Sequence, residues 1–92
     1  MIFRPIRDIG VPYKRQVMIY ATCLNYHSQP EAVRERIDRL CQEVCAGDAA
    51  MTAALKEALT TGGNLEEIAL RHYVSRHALY RKRAKFYKRF RP

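Results

Sequence analysis

The sequence predicts an all-α protein, a tri-helical unit ending in a helix-turn-helix and preceded by two further helices. Three observations lead there. Apolar residues recur three and four apart along most of the chain, the spacing that builds one face of a helix. Helix-start residues stand ahead of those stretches at Ser28, Asp48, Asn64 and Ser75, with Gly47 and Gly62-Gly63 where helices should stop. Finally, only Val17 to Leu24 could pass for a buried strand, and no partner strand is evident elsewhere.

Residues 1–11, with Pro5 and Gly10, read as an irregular arm. Pro12 suits the first position of a helix running to about His27, with Tyr13, Val17, Tyr20, Ala21 and Leu24 at helical spacing. Ser28 and Glu31 form a capping-box pair with Pro30 between them, so a second helix should run to about Ala46. Its apolar stripe is Val33, Ile37, Leu40, Cys41 and Val44. Asp48 should cap a third helix, roughly Ala49 to Thr61, with Met51, Leu55, Ala58 and Leu59 inward. The expected organisation is an arm and helical pair over residues 1–47, used for packing and dimerisation, and a helix-turn-helix unit over residues 48–92.

The stretch from Asn64 to Phe90 carries the functional signal. Asn64 with Glu67 is a second capping box, starting a short helix at Leu65 with Ile68 and Ala69 inward. Ser75 caps another helix, whose first turns should expose Arg76, His77, Tyr80 and Arg81 while Leu79 points inward. The formal charge of +8 is concentrated here. From Arg71 to Arg91 there are nine Lys or Arg and no acidic residue, whereas residues 1–70 hold eight basic against nine acidic. Such asymmetry is the electrostatic footprint of a partner of polyanion type, and nucleic acid is the commonest one that meets a capped helix; with the two capped helices upstream, double-stranded DNA is the expected partner. Arg76, His77, Tyr80 and Arg81 are the candidates for base edges. Ser75, Lys82, Arg83, Lys85, Lys88 and Arg89 are the candidates for phosphates. Five long side chains releasing counterions would give a log–log salt slope of roughly −4 to −5.

At these residues the chain resembles a family. Ile68-Ala69, Val74 and Leu79-Tyr80-Arg81 look like the pattern of bacterial helix-turn-helix transcription regulators and of the DNA-binding domains of resolvases and invertases. The preceding stretch from Ala54 to Asn64 is similar to the helix before the motif in PapB-type adhesin regulators and TrfB-like plasmid repressors. Tyr73 stands where that pattern usually has a turn glycine, and Lys82 where it often has an apolar residue. The resemblance implies a regulator of bacterial, plasmid or phage origin that occupies an operator and performs no chemistry. The rival expectation is an interaction module whose basic helix grips an acidic protein or structured RNA.

Other features point elsewhere less strongly. Phe86, Tyr87 and Phe90 could stack on unpaired bases, but their spacing suits a core or dimer stripe better. Cys23, His27, Cys41 and Cys45 could meet between two antiparallel helices and bind zinc; the spacing is no zinc signature, and no metal or other cofactor is expected. His72 suits dipole compensation or turn packing. There is no carboxylate pair in an apolar setting, no glycine-rich phosphate loop and no nucleophile with a base, so an enzyme is not expected and no small-molecule substrate is evident. Neither a signal-peptide core nor an apolar run of the roughly 20 residues that cross a bilayer is visible, so the expectation is a cytoplasmic protein with reduced thiols and no membrane partner. A homodimer is expected from the apolar excess in a small chain, with Tyr13, Tyr20, Tyr26, Ile37 and Leu40 on offer.

Overall fold

A computed structural model describes residues 3–91, and five α-helices are present among them, with no strand. They are α1 (Tyr13–Leu24), α2 (Glu31–Val44), α3 (Ala49–Thr61), α4 (Leu65–His72) and α5 (Arg76–Arg89), with a 3₁₀ turn at Tyr26–Ser28 between the first two. The stretch over 17–24 is therefore helix and not strand.

α3 is the element against which the other four helices pack. Asp48 starts it by accepting a hydrogen bond from the Met51 amide at 3.0 Å, and Gly62, in the left-handed region at φ 66°, ends it. Met51, Ala54, Leu55, Ala58 and Leu59 are all buried, and the two alanines let neighbouring helices come close. These five join Ile19, Cys23, Ile37, Cys41, Val44, Ile68, Leu79 and Phe86 in one cluster that draws on both halves of the chain. The radius of gyration is 12.1 Å, against roughly 12 Å for a single folded body of this length. The described residues of the two halves, 3–47 and 48–91, thus share one core.

Two details of the N-terminal half differ from the sequence expectation. Ser28 does not cap α2. It lies in the 3₁₀ turn, and Pro30 occupies the cap position with no side-chain hydrogen bond. The buried face of α1 is Gln16, Ile19 and Cys23, whereas Tyr13 is 59% exposed. The arm explains the rotation. The Ile6 amide donates to Gln16 Oε1 at 2.7 Å, and Gln16 Nε2 donates to the carbonyls of Ile6 and Val11. A fully satisfied amide thus holds the arm over a flank of α1 that periodicity assigns to solvent. Phe3, carried by that arm, sits 4.8 Å from the Tyr20 ring and 6.4 Å from that of Tyr87 on α5.

Across α2 and α3, Tyr26 donates to the Asp38 carboxylate, which also pairs with Lys56 at 2.9 Å. The hydrogen bond to Asp38, then that to Tyr26, raises the Lys56 ammonium above its ordinary value. Of the residues proposed for a dimer contact, Tyr26 and Ile37 are buried inside the chain itself, and Tyr20 and Leu40 are half-buried.

Among the described residues, no helix is long and apolar enough to cross a membrane.

Candidate nucleic-acid interface

α4 is a helix of eight residues because it is closed at both ends. Asn64 accepts from the Glu67 amide at 3.1 Å, and Glu66 and Glu67 in the first turn complement the positive end of the helix. At the other end the Tyr73 amide donates to the Leu70 carbonyl and the Val74 amide to the Ala69 carbonyl. This is the Schellman pattern, which requires a left-handed residue at Tyr73, whose angles are φ 56° and ψ 40°. The same pattern closes α2, with Ala46 left-handed at φ 50° and Gly47 following.

Three residues, Tyr73–Ser75, separate α4 from α5. Val74 is half-buried, and Ser75 accepts from the Ala78 amide at 3.2 Å to start α5. Leu65, Ile68 and Ala69 on α4 and Leu79 on α5 are buried in the common core, so neither helix can rotate without exposing apolar surface. Glu57 on α3 adds a polar clamp, pairing with both Arg71 and His72 at the end of α4.

Along α5 the inward side is Leu79, Phe86, Tyr87 and Phe90, the last three at most 2% exposed. That burial removes them as base-stacking candidates. The far end of α5 is also pinned, since Arg15 donates to the Phe90 carbonyl and Arg36 to that of Arg91, each at 3.2 Å. Two cations thereby sit at the negative end of the helix.

The candidates for base contact all reach solvent. His77 and Arg81 are exposed, Tyr80 is 47% exposed, and Arg76 is exposed but ion-paired to Glu66 of α4. The phosphate candidates divide. Lys85 and Lys88 are exposed and, like Arg81, have no carboxylate partner among the described residues. Arg89 is exposed and paired with Glu43 at 3.1 Å. The Ser75 hydroxyl is engaged as the cap. Lys82 is half-buried and close enough to Cys45 to act on its thiol. Arg83 departs furthest from expectation. It is half-buried, its guanidinium lies 5.8 Å from the Tyr80 ring, and its Nε is enclosed with no acceptor. Burial pulls its basicity below the ordinary arginine value.

One turn of α5 advances roughly 5.4 Å, so His77, Arg81, Lys85 and Lys88 follow one another along a single exposed side. Three of these four, Arg81, Lys85 and Lys88, count toward the formal positive charge of the chain. With Arg83 and Lys82 half-buried, the five long phosphate contacts expected from sequence fall to about three, and the salt slope to roughly −3.

The cysteines sit apart from this face. Cys23, Cys41 and Cys45 are buried free thiols and His27 is exposed. Burial pushes the thiols of Cys23 and Cys41 up to about 12, so both are protonated at neutral pH and serve as small apolar core residues. Among the described residues, no three His, Cys, Asp or Glu side chains are grouped to hold a metal ion.

Sequence reasoning missed the surroundings of Arg83. They form an open cavity of about 350 Å³ lined by Phe3, Arg4, Tyr20, Gly62, Gly63, Leu65, Tyr80 and Arg83. No periodicity could have pointed to it, because its walls come from the arm, α1, the α3–α4 loop, the start of α4 and α5. The chain matches no protein-family model, and no curated protein or solved structure is significantly similar to it.

Proposed function

We propose that this chain binds double-stranded DNA through a helix-turn-helix formed by α4 and α5. In this reading α5 enters the major groove with its first turns leading, and the protein regulates transcription by occupying an operator. The supporting observation is the side of α5 formed by His77, Arg81, Lys85 and Lys88. It is a cationic stripe with no carboxylate partner among the described residues, on a helix held at both ends and along its apolar face. A helix of this kind fits the groove and meets phosphates at its rims. His77, Tyr80 and Arg81 are assigned to base edges, joined by Arg76 once it leaves Glu66. Lys85, Lys88 and Arg89 are assigned to the backbone. The resemblance to bacterial regulators agrees with this, and a two-fold homodimer would give the single helix a second half-site.

Selection of duplexes from a random pool tests the reading, repeated with Arg81→Ala and Arg76→Ala. A consensus that relaxes at particular positions in each variant is expected, with a loss of about 1–3 kcal/mol at each position an arginine reads. Equal weakening on all sequences would reduce the stripe to phosphate contacts. A preference for looped RNA, or binding to acidic protein with none to DNA, would replace the reading altogether. Sedimentation as a monomer at high micromolar concentration would remove the dimer.

A further inference from the structure

The geometry points to a phosphate-binding site in the cavity between the arm and α5, with Arg83 and Arg4 as its cationic walls and Tyr80 beside them. Arg83 is the starting point. A guanidinium withdrawn from solvent is costly unless an anion faces it, yet Arg83 has no carboxylate partner and its Nε has no acceptor among the described residues. Arg4 lines the same cavity from the arm and is likewise in no ion pair among those residues. No carboxylate is on the wall. Glu66, one residue beyond the lining Leu65, is engaged by Arg76.

The shape of the wall also suits a tetrahedral anion. Gly62 and Gly63 contribute space without donors, because their amides already donate to the Ala58 carbonyl and to Thr61 Oγ1. The polar lining comes from two sides, Arg4 of the arm and Arg83 of α5, with Tyr20 and Tyr80 between them. Arginine forks bind phosphate oxygens two at a time, and two arginines lining one cavity, with no carboxylate among the lining residues, suit a doubly charged phosphate. At about 350 Å³ the cavity is near the lower limit of ligand pockets, about 300 Å³. It has room for a phosphate and a small attached group. Burial lowers the Arg83 pKa, yet an arginine so placed keeps its charge at neutral pH.

Two sources could supply the group: a backbone phosphate of bound DNA, reached because Tyr80 belongs to both the cavity and the exposed side of α5, or a free phosphate compound. Only the first rests on the duplex-binding reading. The test is an amide NMR titration of the full chain with inorganic phosphate at constant ionic strength, followed at Gly62, Gly63 and Leu65. Saturable shifts are expected, weakened about tenfold or more in Arg83→Met, which keeps the packed stem, and weakened in the exposed Arg4→Ala, but unchanged in Arg39→Ala on α2. Shifts that do not saturate, or that persist undiminished in both cavity variants, would overturn the site. Duplex titrations against salt then separate the sources. A slope reduced by about one in Arg83→Met identifies a backbone phosphate; an unchanged slope with phosphate binding intact in the wild type identifies a free compound. Should the chain bind no duplex, the phosphate titration still decides whether the site exists.

Discussion

Replacing Tyr73 by glycine should stabilise the protein, although it deletes the largest side chain in the turn. Tyr73 is held at φ 56° and ψ 40° by the two hydrogen bonds that close α4. An L-residue in that region carries a cost of about 1–2 kcal/mol that glycine does not. The ring is 96% exposed, so its removal forfeits almost no burial. Against the gain stands the greater freedom of glycine in the unfolded chain, about 0.5–1 kcal/mol. The balance is a stabilisation of about 0.5–1 kcal/mol, or roughly 2–8 °C in Tm for a domain of this size. Urea and thermal unfolding followed by circular dichroism would measure it, with an unchanged m-value expected. Tyr73→Ala separates the causes: it removes the ring and keeps the Cβ, so it should leave stability where it was. A neutral or destabilising Tyr73→Gly, or an equal gain from Tyr73→Ala, would refute the argument from backbone conformation.

Gln16→Leu should cost about 3 kcal/mol, since three half-buried hydrogen bonds to the arm are lost with two carbonyls and one amide left unpaired. Hydrogen exchange should show the Ile6 amide losing protection, and a loss below about 1 kcal/mol would mean water replaces the amide. Stability should also fall in alkali. Cys23 and Cys41 are raised from 9.0 to about 12 by burial, so they favour the fold fully below pH 9 and cease to do so as pH climbs to about 12. Lys56, raised by Asp38, acts in the same direction. Urea unfolding of wild type against Cys23→Ala between pH 8 and pH 11 should give a shallower decline in the variant, and parallel curves would contradict the assignment. Glu66→Gln should free Arg76, changing stability by at most about 1 kcal/mol because the pair is exposed. Its duplex affinity should rise with a salt slope steeper by up to about one, as titrations at several salt concentrations would reveal.

The C-terminal half was the more legible because its ends are written in side chains. Asp48, Asn64 and Ser75 each accept the hydrogen bond that their residue type implies, and Gly62 stops α3. The helices they bound begin at the residues expected. The N-terminal half was less legible for two physical reasons. A buried glutamine looks like a solvent residue until its partners are known, and those partners are backbone atoms of the arm, invisible to any pattern of side chains. Ser28 is a good cap by type, but the 3₁₀ turn claims it and Pro30 takes its place. Of the candidate interface, Arg81, Lys85 and Lys88 lie exposed on α5. Arg83 does not, because the arm and the α3–α4 loop create an inside on a face that the helix alone would present to water.

The charge on α5 is itself a clue to what the helix is for. Arg81, Lys85 and Arg89 are spaced four apart, and like charges at that spacing oppose helix formation by roughly 0.2–0.5 kcal/mol a pair. Among the described residues the fold compensates only the flanks, setting Glu57 against Arg71, Glu66 against Arg76 and Glu43 against Arg89, while Arg81, Lys85 and Lys88 keep their repulsion. Lys85→Glu would exchange that repulsion for two attractive pairs, the better one with Arg89 because the acid then precedes the base. It should stabilise the isolated protein by about 0.5–1 kcal/mol. On a helix that serves only solubility the change would otherwise be neutral. On one that lies against phosphates it reverses a charge at the contact, and duplex affinity should fall at least tenfold while Tm rises by a few degrees. A rise in Tm with undiminished duplex binding would show that the repulsion along α5 is retained for some other reason than a polyanion.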